Sequence, residues 1–284
     1  MDRPARSALI KELGLEAGYR VIRFTTGSEH LHYGRFEPDI PRDFRHLKAA
    51  QDRYLDRIVE LIPSTVSTIL DVGAGSGKTA EILLDRGFAV DCVTPGDGLS
   101  EIAEARLGKL ARIYRGRFED IEIPGRYDLI LFSESFQYIP PAAALERSIS
   151  LLNPDGHILI ADFFSRAPKP PSPIRGGHDF ARWCEEYRRH PLDILAEDDI
   201  TEETAPLHDI LQTLSREVLA PLFKHGRIAA QTRWPIASRI GGWIFRRELR
   251  KFEKSRLSSE RTGAEFIRAK TYKIYLFRRR PESA

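Results

Sequence analysis

Residues 69–79 read ILDVGAGSGKT, and two chemistries compete for them. The end of the stretch, Gly77-Lys78-Thr79, matches the end of a phosphate-binding loop, Gly-x-x-x-x-Gly-Lys-Ser/Thr. Such a loop needs its first glycine at position 72, and the residue there is Val72. The loop is one residue too short to wrap a triphosphate in that way. No later segment reads as its magnesium-binding strand partner. The other reading starts from the front. Thr68 to Val72 is an apolar, β-branched run, the pattern of a buried strand. Gly73, Gly75 and Gly77 follow at alternate positions, and Thr79 to Arg86 reads as a helix closed by Gly87. Strand, glycine turn and helix form the first unit of a nucleotide-binding α/β sheet. Asp71 sits at the turn, where its carboxylate organises the loop or reaches a cationic ligand.

The pattern continues outward. Ala89 to Val93 reads as a second strand, PGDG as a turn, and Leu99 to Leu110 as a helix. Arg112 to Arg115 is a short third strand, and Arg126 to Phe132 a fourth that runs into SESFQYIPP. Leu145 to Leu152 is helical and ends in Asn153-Pro154-Asp155-Gly156, before a fifth strand from His157 to Phe163. Phe180 to Arg189 reads as a helix, Leu192 to Glu197 as a sixth strand and Thr271 to Phe277 as the last. Strands alternating with helices at this spacing predict an α/β fold, a doubly wound parallel sheet of seven strands. Between the last two strands lies an insertion with two helical stretches, Leu207 to Phe223 and Ile240 to Leu257. The expected organisation is a lid segment over 1–50, a core over 51–202, a helical insertion over 203–268, and the last strand of the core with its tail over 269–284.

The chain has 284 residues, 42% of them hydrophobic, enough for a substantial core. No apolar run is long enough to span a bilayer, and MDRPARSALIKELG lacks the apolar centre of a signal peptide, so a cytoplasmic protein is expected. Cys92 and Cys184 match no metal-ligand spacing and read as free thiols. The net charge of +3 is unevenly placed. From Arg239 to Arg280, 14 Lys/Arg stand against four Glu, a local excess of +10, and the remainder, with 30 basic and 37 acidic residues, carries −7. In the stretch 239–257, Phe245, Leu249 and Phe252 share a helical face ringed by Arg246, Arg247, Arg250, Lys251 and Lys254. Such a face packs on its own domain or lies on an anionic membrane surface, and packing is the first reading.

ILDVGAGSG, GRFEDIEIPGRYDLILFSESFQYIP and LLNPDGHILIADFF, in this order and spacing, resemble the class I S-adenosyl-L-methionine-dependent methyltransferases. The resemblance is dense from Leu55 to Asp162. It implies a Rossmann-like methyltransferase sheet, S-adenosyl-L-methionine as cofactor and S-adenosyl-L-homocysteine as product. By position, Asp71, Gly73, Gly75 and Gly77 cradle the methionine part, and Phe118 and Glu119 lie by the adenine. Glu134 and Ser135 stand beside the sulfonium, and Tyr138 faces the methyl group or covers the cofactor. The family's ribose-binding acid falls on Thr94, whose hydroxyl makes only part of that bidentate contact. Asp97 in the following turn is the alternative carboxylate. Arg117 replaces an Asp common near the adenine amine.

HYG at 32–34, followed by a helix with Ala-Gln, resembles methyltransferases acting on sterols, fatty acyl chains and related lipids. By that match Tyr33 and Gly34 contact the cofactor, and His30 and His32 line the substrate pocket or sit on the lid. His178, in a proline-rich loop, acts on a substrate proton, caps a helix beside Asp179 or is solvated. The general-base candidates are then His30, His32, His178 and Glu134, while a carbon acceptor would call on Glu134, Phe136 and Tyr138. The resulting expectation is methyl transfer to an apolar, perhaps anionic small molecule. Two alternatives stay open: a non-catalytic binding or regulatory protein, and a nucleic-acid methyltransferase. Against the last, SESF stands where a target-base motif such as Asn-Pro-Pro-Tyr belongs, and no nucleic-acid partner is expected.

Overall fold

The computed structural model describes residues 3–166, 172–235, 239, 246 and 260–281. A long helix, α1 (Arg3–Thr26), leads through an extended segment and a 3₁₀ turn (Phe44–His46) to α2 (Leu47–Glu60). Then come β1 (Thr68–Val72), α3 (Lys78–Asp85), β2 (Ala89–Thr94), α4 (Asp97–Leu107) and β3 (Ile113–Arg115). The chain continues through β4 (Tyr127–Ser133), a 3₁₀ turn (Phe136–Tyr138), α5 (Pro141–Leu151), β5 (Leu152–Ser165), α6 (Phe180–Tyr187) and β6 (Leu192–Asp199). It closes with α7 (Thr201–Thr204), α8 (Pro206–Leu214), a π-helical turn (Ser215–Leu219), α9 (Ala220–Arg233), α10 (Gly263–Ala269) and β7 (Lys270–Arg279).

The seven strands form one sheet in the order β3-β2-β1-β4-β5-β7-β6. β1 pairs parallel with β2 and β4, and β5 pairs parallel with β4. β7 runs antiparallel to both neighbours, so the sheet is mixed, where the alternation of strands and helices predicts parallel strands throughout. The physical reason lies in the connection. β6 leads directly into α7, and β7 starts again beside the end of β6, with Asp199 opposite Lys273. A strand entering from the edge where its neighbour ended must run the other way. A parallel β7 would need a crossover along the whole face. The described helices α7, α8 and α10 therefore stay at the edge where a ligand crevice belongs.

Both faces of the sheet are covered, which is why its strands read as continuous apolar runs. Residues alternate between two cores. Ile69, Leu129, Leu131, Leu159, Ile274 and Leu276 pack with Tyr54, Leu55 and Ile58 of α2, Leu83 of α3 and Phe266 of α10. Leu70, Val72, Ile130, Phe132, Ile158, Ile160 and Phe277 pack with Leu145 of α5 and Trp183 and Tyr187 of α6. Each fully buried side chain of this size stabilises the fold by roughly 1.5–3 kcal/mol. A third cluster, Phe36, Ile40, Leu47, Ala50, Leu207 and Ile210, joins the extended N-terminal segment to α2 and α8.

Two local readings change. The turn at 153–156 is a bulge inside β5: Tyr127 pairs with Leu152, and the next pair is Leu129 with His157. The insertion helix read over 207–223 runs on to Arg233, with a π-helical turn before Pro221. Proline has no N–H and crowds the carbonyl four residues back, so the helix widens there. The helix read over 240–257 lies, apart from Arg246, outside the described residues. Among the described residues no helix is long and apolar enough to cross a membrane.

Candidate active site

Strand order reverses between β1 and β4, and this opens a crevice beyond their C-terminal ends. The loop after β1 turns there with Gly73, Gly75 and Gly77 at φ of 82°, 57° and 74°, the left-handed region that side chains disfavour. Gly73 has a second reason to be glycine. A Cβ there would stand 2.3 Å from Cβ of Ser135, because the loops after β1 and β4 touch. The N–H groups of Gly73 and Ala74 donate to the Val93 carbonyl at 2.8 and 3.1 Å, so the loop folds back over the end of β2. Asp71 is 2% exposed, and its Oδ2 is buried with no hydrogen-bond partner. Burial pushes its carboxyl up to about 7. A buried carboxylate oxygen without a donor, under a glycine turn, fits a cationic ligand group such as an α-ammonium.

Lys78 answers the phosphate-loop question. Its ammonium pairs with Glu81 at 2.6 Å and lies 3.8 Å from Glu29, committed to carboxylates. Glu29 belongs to the segment after α1, and Arg106 of α4 ties that segment to the glycine loop. The Arg106 guanidinium, 10% exposed, pairs with Glu29 and Glu81, both at 2.9 Å. It also donates to the Ser76 carbonyl at 3.0 Å and the Tyr19 hydroxyl at 3.2 Å. Ser76 Oγ donates to the Glu29 carbonyl at 2.9 Å. The N-terminal segment is thus clamped over the crevice.

Glu134, directly after β4, has φ of 59°, a strained value for a residue with a side chain. Its Oε1 accepts the Tyr33 N–H and, at 2.9 Å, the Tyr272 hydroxyl. Tyr272 also meets Tyr54 at 3.0 Å, and Tyr54 meets Ser133 at 3.2 Å. The hydroxyls of Ser133, Tyr54 and Tyr272 form a chain that ends on the carboxylate. Burial pushes the Glu134 carboxyl up to about 8; the Tyr33 N–H opposes the rise and nearby Asp162 adds to it. Asp162, wholly buried near the end of β5, accepts from the Gln137 and Phe163 N–H groups at 2.9 and 2.8 Å. Burial raises its carboxyl to about 7 against those hydrogen bonds.

The structure separates the remaining sequence-selected residues. His30 and His32 are buried, with His32 Nε2 3.1 Å from His30 Nδ1 and His32 Nδ1 donating to the Tyr33 carbonyl at 2.7 Å. Burial, helped by His30, lowers His32 to about 3, so it stays neutral. With His32 neutral, His30 Nδ1–H is the donor between the rings. Asp52 lies 3.4 Å from the far nitrogen of His30. Gln51 donates to the His32 carbonyl at 2.5 Å, and a Cβ on Gly34 would meet Cβ of Ala50 at 2.7 Å, so this stretch lies flush on α2. These histidines hold the lid. His178 Nε2 bonds the Phe136 carbonyl at 3.1 Å. Tyr138 is 62% exposed, at the rim. Ser135 Oγ donates to the Val72 carbonyl and fastens the two loops. Thr94 is buried and 3.5 Å from Ser100 Oγ, whereas the Asp97 side chain is 90% exposed, 3.9 Å from Arg115. Phe118 packs edge-on against Phe132, and Glu119 pairs with Arg117.

Tyr54, Asp162, Tyr272, His208 and Arg106 were not among the residues selected from sequence. Tyr33 joins them to the site: its hydroxyl meets His208 Nε2 at 3.1 Å. Two open cavities, of about 650 and 440 Å³, lie elsewhere. The larger is a polar groove whose Arg35, Arg53, Arg57 and Arg86 are all matched to acids. The crevice is instead packed by the lid: Leu31 Cδ1 lies 3.1 Å from where a Cβ on Gly75 would be.

A sequence family described as a methyltransferase domain matches residues 44–201. An uncharacterized methyltransferase of Staphylococcus carnosus is 29% identical over 119 residues, 41% of this chain and 56% of that protein. The chain thus spans little more than half the length of that relative. A ubiquinone biosynthesis O-methyltransferase of Azotobacter vinelandii is 26% identical over 184 residues, 55% of this chain and 77% of that protein. Among solved structures, the geranyl diphosphate C-methyltransferase of Streptomyces coelicolor superposes with a TM-score of 0.62 at 14% identity, over 92% of each chain. That likeness is one of fold.

Proposed function

Because this chain belongs to the methyltransferase-domain family, we propose that it transfers a methyl group from S-adenosylmethionine to an apolar small molecule. The observation that carries the cofactor assignment is the partnerless buried Oδ2 of Asp71 beneath the three left-handed glycines. Bound there, S-adenosylmethionine supplies an electrophilic methyl on a sulfonium. Asp71 receives the α-ammonium, the glycine turn lets the ligand approach the backbone, and Asp97 is the carboxylate placed to meet a ribose from the surface. The clamp through Arg106 excludes water.

The protein's part in the chemistry is placement and proton control. Of the four general-base candidates, His30, His32 and His178 are engaged with each other or with backbone carbonyls. Burial raises the Glu134 carboxyl to about 8, so its carboxylate, once ionised, is a stronger base than an ordinary glutamate and gains population as pH rises toward 8. The Ser133–Tyr54–Tyr272 chain orients it. The apolar acceptor is supported by the aromatic wall of Tyr33, Phe163, Phe266 and Tyr272 beside Glu134. The matched relative named for ubiquinone biosynthesis points the same way. Purified protein with methyl-labelled S-adenosylmethionine should label an organic-phase metabolite in a cell extract. Label confined to protein, nucleic acid or water-soluble products would sink this reading.

A further inference from the structure

Tyr33 reaches further into the molecule than a lid residue needs to. Its amide bonds Glu134, while its side chain lies in a box formed by four rings from four other elements. Ring centroids stand 5.9 Å away for Phe163 of β5, 5.5 Å for His208 of α8, 5.8 Å for Phe266 of α10 and 5.7 Å for Tyr272 of β7. The hydroxyl ends on His208 Nε2, and His208 is itself stacked on Phe266 at 4.6 Å. The box adjoins Glu134 directly, through the Tyr272 hydroxyl on Oε1.

A side chain supplied by the lid, and placed one tyrosine's length from the carboxylate, is a poor choice for permanent core. The same segment must move for any cofactor to enter beneath it. Resting on the methyl-transfer reading of the Glu134 site, we infer that the ring box is the acceptor pocket and that Tyr33 is its removable plug. The acceptor is a molecule with a flat, phenol-like ring: ring in the box, hydroxyl or carbonyl on His208, reacting atom at the Glu134 end. Tyr33 is then a competitor held in the chain. An acceptor meets a pocket only in the fraction of molecules whose tyrosine has left, which weakens its apparent affinity by that fraction.

The probe is 4-methylphenol, titrated calorimetrically with and without saturating S-adenosylhomocysteine. Tyr33→Ala should bind it at least about tenfold more tightly than the native chain without nucleoside, since the competitor is gone. Toluene should bind that variant more weakly than the phenol, and the preference should vanish in Tyr33→Ala/His208→Ala. Phe266→Trp, which fills the box, should abolish phenol binding while S-adenosylhomocysteine affinity stays within about twofold. A crystal structure of the native chain with both ligands should show the phenol in the box and Tyr33 outside it. The proposal is overturned if Tyr33→Ala binds the phenol no better than the native chain. It is equally overturned if Tyr33 still fills the box when the phenol is bound. Loss of nucleoside binding in the native chain would instead strike the methyl-transfer reading, so the two failures are told apart.

Discussion

Replacing Gly73 with alanine tests the crevice where two loops meet. The backbone there has φ of 82°, and an L-residue in the left-handed region costs roughly 1–2 kcal/mol. The new methyl would lie 2.3 Å from Cβ of Ser135, over 1 Å inside ordinary contact. Ser135 is the neighbour that must yield, and it is fastened by its hydroxyl to the Val72 carbonyl. Displacing it adds an overpacking penalty of about 1–3 kcal/mol. Together these give a loss of about 2–5 kcal/mol, which at roughly 2–4 °C per kcal/mol lowers the melting temperature by about 4–20 °C. The same displacement shifts Glu134, one residue back, so S-adenosylhomocysteine binding should weaken with stability. A double-mutant cycle isolates the steric part. Ser135→Gly removes the clashing Cβ, so Gly73→Ala should cost markedly less in that background, down to the backbone strain alone. Ser135→Ala keeps the Cβ and should give no such relief. If Gly73→Ala melts within about 2 °C of the native chain and binds nucleoside as well, or if both serine variants relieve it equally, the geometry proposed here is wrong.

Further tests follow from the clamp and the buried acids. Arg106→Ala removes a mostly buried guanidinium but leaves Lys78 to bridge Glu29 and Glu81, so the expected loss is about 2 kcal/mol, between exposed and buried pairs; the N-terminal segment should gain protease sensitivity, and bound S-adenosylhomocysteine should leave faster. The folded-state carboxyls of Glu134 at about 8 and of Asp162 and Asp71 at about 7 are raised, so their contribution to stability is present below the ordinary carboxylate range and is lost as pH rises through 7 to 8. His32 at about 3 and His208 at about 4 are depressed, so theirs is present above about pH 6.5 and lost as pH falls toward 4 and 3. Thermal melts without nucleoside should therefore peak in mildly acidic solution, with Glu134→Gln flattening the alkaline limb and His208→Asn the acid limb; a peak above pH 8 would contradict both assignments. Tyr272→Phe keeps the ring but withdraws a donor from Glu134, and should shift the acid limb of the pH–rate profile to higher pH with little change in melting temperature, whereas an unmoved profile would remove the hydroxyl chain from the mechanism.

The part of the fold written in local pattern was readable from sequence. β1, its glycine turn and α3 follow from an apolar run, three glycines and a helical period, and each lies within 20 residues. Strand direction has no such local mark: β7 reads like any buried strand, and only the placement of α7 to α10 at one edge makes it antiparallel. The active-site cluster was less legible because its members come from distant positions. By spacing alone Tyr54 falls on the apolar side of a helix and Tyr272 inside the last strand, yet their hydroxyls meet across 218 positions. One signal was there. Asp162 interrupts the run LIADFF, and Lys270 opens the final strand, so buried charges in apolar strands marked the site's margin. The two histidines drew attention by chemistry alone, and their burial against α2 is a tertiary fact.

Calorimetric titration of the native chain with S-adenosylhomocysteine, alongside ATP and NAD, bears on the central claim most directly. Micromolar binding of S-adenosylhomocysteine that weakens sharply in Asp71→Asn, with no uptake of ATP or NAD, is the predicted result. Binding of a polyphosphate nucleotide in the glycine crevice, with S-adenosylhomocysteine ignored, would contradict it.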